Sequence, residues 1–273
     1  MTSPLFFRSY NLVLCILTLH PFMSSRERKD KADKTILAIT DFSKNSTHAI
    51  LFAAGLFKDS IIQIKLLNVF ESPDKKAKLL ISIDDIIIKD SETGLKKQSA
   101  EIASVSKKKS LKILTYSASG KLKKIIGSLA QSEDISLIVG SIPPNKHPCK
   151  KLNYTPFLFM GQSRHPVLMV PENHVHKTVN NILILNLDAH LSESKINTSF
   201  ENLVNHKHIS TRIITLYEKN IDNTKISSIF KLLKESRAGM LIIVPSAGDK
   251  LDRQLLDYQI QELCTTLASL LNF

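Results

Sequence analysis

Tryptophan is absent from the 273 residues, and aromatic side chains make up only 6%. That leaves little material for the stacking platforms that single-stranded nucleic acids require. The three cysteines, Cys15, Cys149 and Cys264, lie far apart. An odd, scattered set provides neither a disulfide framework nor a metal-ligand spacing, so a reducing, cytoplasmic setting is the expectation. With eight glycines and ten prolines, the chain is poor in the residues that build loop-rich folds. Nucleophile-elbow, P-loop and Rossmann glycine patterns are missing. No apolar run reaches the roughly 20 residues that span a bilayer. What is present is ordinary: 43% hydrophobic and 23% charged residues, the balance of a folded domain. At about 150 residues per domain, the length suits one large domain or two small ones.

The net charge of +12 is unevenly spread. Residues 74–124 hold 13 Lys against 6 acids, mostly among apolar residues at helical spacing. This reads first as a solvated helix face. Attraction to a polyanion through residues 75–124 is a minor alternative. Nucleic acid is not the expected partner, because no helix-turn-helix, zinc-finger or aromatic RNA-binding signature accompanies the lysines.

Residues 12–19 (LVLCILTL) follow Arg8 and resemble a signal-peptide core, but His20-Pro21 interrupts them and no small-residue cleavage site follows. A translation start at Met23 is the simpler reading. Residues 1–33 are therefore set aside from the fold as a disordered or wrongly assigned extension.

From residue 34 onward the pattern alternates. Residues 35–40 (TILAIT) form a β-branched apolar run suited to a strand covered on both faces. Several candidate N-caps follow in 41–46 (DFSKNS). Residues 47–58 place Ile50, Leu51, Ala54 and Phe57 on one helical face. Residues 61–70 (IIQIKLLNVF) form a second strand, which completes a βαβ unit. A long helix over 82–109 with a break at Gly94 follows, then a strand at 111–117. A helix at 121–131 and strands at 135–139 and 166–170 complete the series. The expectation is an α/β fold, an open parallel sheet with helices on both faces. Ligands of such sheets bind beyond the carboxyl ends of the strands, where strand order reverses.

The pattern then restarts. Residues 181–187 (NILILNL) end in Asp188 as 36–40 end in Asp41. Residues 208–217 match the second strand in distance, and 240–244 (MLIIV) match 137–139. The segment 268–273 (ASLLNF) sits near where the counterpart of 166–170 would fall. The second half is shorter by about one helix and one strand. Two tandem copies of one unit are expected, at 34–172 and 178–273, the second abbreviated.

Four segments in order, 34–59 (KTILAITDFSKNSTHAILFAAGLFKD), 61–71 (IIQIKLLNVFE), 132–141 (SEDISLIVGS) and 165–172 (HPVLMVPE), resemble the universal stress protein family. The resemblance covers residues 34–172, with a weaker copy at 178–273. It implies a nucleotide-binding α/β fold of the adenine nucleotide α-hydrolase type. Members that bind ATP carry G-x2-G-x9-G-[ST] after the fourth strand, where glycines let the backbone approach phosphates and N–H groups hold the charge. Here Gly140 takes the first position, but Pro143 takes the second and Asn153-Tyr154 the last pair. Pro143 has no N–H and a fixed φ. In the second half the positions fall on Pro245, Gly248 and Tyr258-Gln259. The resemblance matches Asp41 to an acidic residue near adenosine, Ile39 and Thr40 to its neighbours, and Val69 to a residue that packs on adenine. Ile39, Thr40, Asp41, Val69 and Gly140 are thus the residual nucleotide pocket. The plainer readings are a helix cap for Asp41, ordinary core for Val69 and a strand-to-loop turn for Gly140.

The pairs His174/His176 and His206/His208, and His147 with Cys149, complete no zinc spacing. Lysines around Cys149 could lower its thiol pKa, a minor redox reading. Asp84-Asp85 are adjacent on a helix and do not face each other. The expectation is a non-enzymatic regulatory or stress-response binding module without a bound cofactor. Its two halves would form an intramolecular pseudo-dimer through 166–170 and 268–273, with association into a homodimer left open. Its partner would be an unidentified protein, and no membrane is involved. The alternative is an active ATP-binding member with weak hydrolysis.

Overall fold

A computed structural model of the chain describes residues 13–16, 34–57, 61–70, 83–106, 110–132, 134–142, 165–171, 181–186, 191–204, 210–215, 223–236 and 238–244. Their elements are, in order, β1 (Val13–Ile16), β2 (Lys34–Ile39), α1 (Lys44–Leu56), β3 (Ile62–Phe70), α2 (Ile83–Val105), β4 (Leu111–Ser119) and α3 (Leu122–Ser132). Then come β5 (Leu137–Ile142), β6 (Val167–Pro171), β7 (Asn181–Asn186), α4 (Glu193–Val204), β8 (Ser210–Thr215), α5 (Asn223–Ser236) and β9 (Met240–Val244).

The nine strands form one sheet in the order β4-β3-β2-β5-β6-β1-β9-β7-β8. Each ladder is parallel except the one between β6 and β1. Period-two alternation sorts the apolar strand residues onto two faces. Ile36, Ala38, Ile64, Leu66, Val139, Leu168, Ile184 and Ile242 pack with α1, α2 and α4 residues such as Phe57, Leu95 and Phe200. Leu37, Ile39, Leu67, Ile138, Met169, Leu185 and Ile243 pack with α3 and α5 residues such as Ile126 and Leu233. Both layers run through both halves of the sheet, as expected where parallel strands are covered on each side. The open parallel α/β architecture is the one the sequence pattern implies.

Residues 181–244 repeat part of the element order on the same faces, with α4 on the face of α1 and α2, and α5 on the face of α3. Between β8 and β9 stands one helix, where β3 and β5 are separated by α2, β4 and α3.

Two expectations need correction. Val13–Ile16, set aside with residues 1–33, is a central strand, paired with β6 on one side and β9 on the other. A run of four apolar residues is short for a transmembrane or signal segment but sufficient for a strand inside a sheet. Beyond β6 the next strand of the sheet is β1; the expected pairing of 166–170 with 268–273 involves a segment outside the described residues. Gly94 does not break α2, which runs through it.

Candidate functional site

Strand order reverses between β2 and β5, because the chain leaves β2 towards β3 and returns on the other side to β5. The carboxyl ends of these strands carry the residues singled out by sequence. Thr40, just past β2, is 2% exposed. Its hydroxyl donates to Gln98 Oε1 of α2 at 2.6 Å and accepts the Phe42 N–H at 2.9 Å. Gln98 Nε2 donates to Ser46 Oγ and Thr47 Oγ1 of α1, each at 3.0 Å. One glutamine thus fastens the end of β2 to the start of α1. The Thr40 carbonyl accepts from Asn68 Nδ2 at 2.8 Å. Asn68 Oδ1 takes the Ser91 hydroxyl at 2.8 Å, and Ser117 donates to Ser91 at 2.7 Å. The chain of bonds crosses β2, β3, α2 and β4. Buried polar groups paired in this way stabilise a specific packing instead of opposing it.

Asp41 is exposed, and its carboxylate accepts the Ser43 N–H at 3.0 Å and the Ser43 hydroxyl at 2.6 Å. The cap of α1 is Ser43, whose Oγ accepts the Ser46 N–H at 3.1 Å. Asp41 therefore orders the turn that delivers the cap. Between them Phe42 has φ of 64°, in the left-handed region that side chains other than glycine rarely adopt. Its ring lies against Gly94, where an added β-carbon would sit 2.8 Å from the ring. That close approach accounts for a glycine inside a helix.

Ile39 and Val69 lie on the opposite face, with α3. Gly140 is buried within β5, opposite Met169 of β6, and does not form a strand-to-loop turn, since β5 continues to Ile142. A β-carbon on Gly140 would stand 3.2 Å from Met169 Cε and 3.4 Å from its sulfur. The glycine makes room for a methionine of the same chain. The positions Pro143, Asn153 and Tyr154, and those of the second half from Pro245 on, lie outside the described residues. So do His147, Cys149, His174, His176, His206 and His208. Among the described residues no group of three His, Cys, Asp or Glu could hold a metal ion. No helix among them is long and apolar enough to cross a membrane.

Of the lysines in the basic segment, Lys89, Lys96, Lys97, Lys121 and Lys124 are exposed, the solvated faces expected of a charge run. Lys65 differs. It sits in the middle of β3, 9% exposed, with Nζ 5.9 Å from the centre of the Tyr116 ring. Burial pushes its ammonium below the ordinary lysine pKa.

No protein-family model and no curated protein matches the chain, but solved structures do. A universal stress protein from Archaeoglobus fulgidus DSM 4304 is similar over 80% of this chain and 78% of its own, with a TM-score of 0.50 at 16% identity. The chain has the universal stress protein fold. The universal stress protein UspA from Lactobacillus plantarum is similar over 52% of this chain and 99% of its own, with a TM-score of 0.42 at 16% identity. A universal stress protein in complex with cAMP is similar over 52% and 99%, with a TM-score of 0.36 at 16% identity.

On this universal stress protein scaffold, the five residues taken from the resemblance divide. Ile39, Val69 and Gly140 belong to the α3 face, Thr40 is bonded into the α1–α2 face, and Asp41 stays at the rim. Sequence reading missed Gln98, Asn68, Ser91 and Ser117. The one available signal was a glutamine on the apolar side of α2, three residues from Leu95 and four from Ile102, both buried.

Proposed function

We propose that this protein is a stress-associated binding module of the universal stress protein type that works without catalysis and has given up the nucleotide cradle. In this reading residues 34–172 and 178–273 are tandem copies of one unit, the second abbreviated, packed as a pseudo-dimer in the cytoplasm. The observation that carries it is the packing of Met169 on Gly140: the room a glycine opens beside the switch point is taken by the chain's own methionine, whose Cε would stand 3.2 Å from a β-carbon placed there. Three further features support it. The Thr40 hydroxyl is committed to Gln98, the Asp41 carboxylate is committed to Ser43, and the sequence puts Pro143 and Asn153-Tyr154 where phosphate-binding glycines would stand. Hydroxyls engaged with amides and turn N–H groups are structural partners, not nucleophile–base pairs.

Isothermal titration with ATP and magnesium tests the reading. The expected result is no saturable heat up to millimolar nucleotide. A micromolar dissociation constant, with or without hydrolysis, would overturn it in favour of an active nucleotide binder.

A further inference from the structure

Strands β6 and β9 are separated by β1, and among the described residues no ladder joins them directly. Residues 34–171 supply the strand order β4-β3-β2-β5-β6, and residues 181–244 supply β9-β7-β8. By position, β9 corresponds to β5, and the strand beyond it corresponds to β6. That place is filled by Val13–Ile16, which runs parallel to β9, in the register Val13↔Met240 to Ile16↔Ile243. On its other side it is antiparallel to β6, in the register Leu14↔Met169 to Ile16↔Val167. A segment that precedes the first unit thus completes the second.

Both rims of the slot are apolar and closed to solvent. Val167, Leu168 and Met169 on one side and Met240, Leu241, Ile242 and Ile243 on the other are all 3% exposed or less. Ile16 is in line with Val167, Ile138 and Leu37, at the end of the sheet where Lys34 starts β2. Three strand spacings and a few residues of rise put these ends roughly 15–20 Å apart. Residues 17–33 connect them, and that length can reach about 55 Å when extended. That number of residues is more than the span requires. A tether longer than its span holds its strand at a millimolar-order effective concentration without forcing it into place.

We propose that the slot between β6 and β9 is a strand-accepting site for an apolar extended segment, and that the chain's own Val13–Ile16 is its tethered, exchangeable occupant. Recognition is by main-chain ladders on two sides. The sense is fixed, because only one direction is parallel to β9 and antiparallel to β6. This is strand addition into a sheet interior instead of at its edge.

The test uses the full chain with Leu168→Cys, opposite Cys15, in a C149S/C264S background. Directly opposed residues of an antiparallel pair stand about 4.5–5.5 Å apart, within disulfide range. Mild oxidation should give an intramolecular Cys15–Cys cross-link, identified by peptide mass mapping. Excess synthetic peptide of residues 10–19 with Cys15→Ser should suppress that cross-link at least fivefold, and the same peptide with Leu14→Pro should not. A second measurement covers the case in which L168C perturbs the fold. Leu14→Pro in the otherwise native chain should raise amide exchange in 167–169 and 240–243 at least tenfold and leave β3 and β4 unchanged. Absence of the cross-link together with unchanged exchange would overturn the site. A cross-link that peptide cannot suppress would overturn the exchange. A cross-link between two chains would place the occupant in trans and overturn the tethered assignment.

Discussion

The two flanks of the sheet each join an asparagine amide to a threonine near the strand ends, with the residues exchanged between strands and different threonine atoms engaged. In the first, Asn68 of β3 donates to the carbonyl of Thr40 just past β2. In the second, Asn186 at the end of β7 donates to Thr215 of β8 at 3.4 Å and to the Leu191 carbonyl at 3.2 Å. Asn186 is fully buried. An asparagine–threonine pair is common to both flanks, through the Thr40 main-chain carbonyl in one and the Thr215 hydroxyl in the other. In each the amide serves a main-chain group that needs a partner where strands end in a dry setting. The difference lies one layer out. In the first flank α2 adds Gln98 and Ser91 to the pair. Among the described residues of 181–244, no helix stands in the place of α2. The comparison teaches that the polar strand ends belong to the architecture, whereas the larger network belongs to the longer unit.

Six substitutions test this contrast. Phe57, after α1, is fully buried, and Phe200 of α4 is 3% exposed. Each change to Ala should cost about 3–5 kcal/mol. Because both rings belong to one continuous layer, denaturant titration should show a single transition moving in both variants. Separate transitions would show that the flanks fold independently. Gln98→Leu comes next. It removes the amide bonded to the hydroxyls of Thr40, Ser46 and Thr47, and a loss of about 1–3 kcal/mol is expected, with the second flank untouched in hydrogen exchange.

Ser43→Ala should cost about 1 kcal/mol as a lost helix cap. Its counterpart Ser192 accepts the Lys195 N–H at the longer distance of 3.5 Å, so Ser192→Ala should cost less in the same denaturation assay. An equal loss would refute the ranking. The smallest effect concerns Lys65. Its folded-state pKa lies below the ordinary 10.5, so between the two values the unfolded chain binds more protons, and stability rises with pH there. Below the folded pKa the burial penalty is present in full. Lys65→Met should be more stable than the native chain at neutral pH, and the gap should narrow as pH approaches 10.5. A gap that widens would reverse the sign.

Much of this architecture was legible in the residues. The run 240–244 (MLIIV) is β9 to the residue, and the helical faces of 47–58 and 121–131 became α1 and α3. Helix α1 starts earlier than its apolar spacing suggested because Ser43 caps it. Such local patterns are readable because side chains alternate with backbone period. What escaped reading is non-local. Four apolar residues, Val13–Ile16, carry no signal that their partners are Met240–Ile243. Gln98 looks like any helix glutamine until Thr40, 58 positions away, meets it. Gly140 could be matched to a phosphate loop by spacing, but only the register opposite Met169 shows which side chain uses its room.

The placement of β1 has a consequence for how the molecule is made. Val13 leaves the ribosome more than two hundred residues before its partner Met240. Non-local ladders of this kind close late and slowly. During synthesis the five-stranded flank can assemble with β1 beside β6 while the β9 side of β1 is still bare, a state prone to sticking to other nascent chains. The interval between β1 and β9 makes synthesis rate and chaperone holding, alongside final stability, relevant to how much of this chain reaches its native sheet.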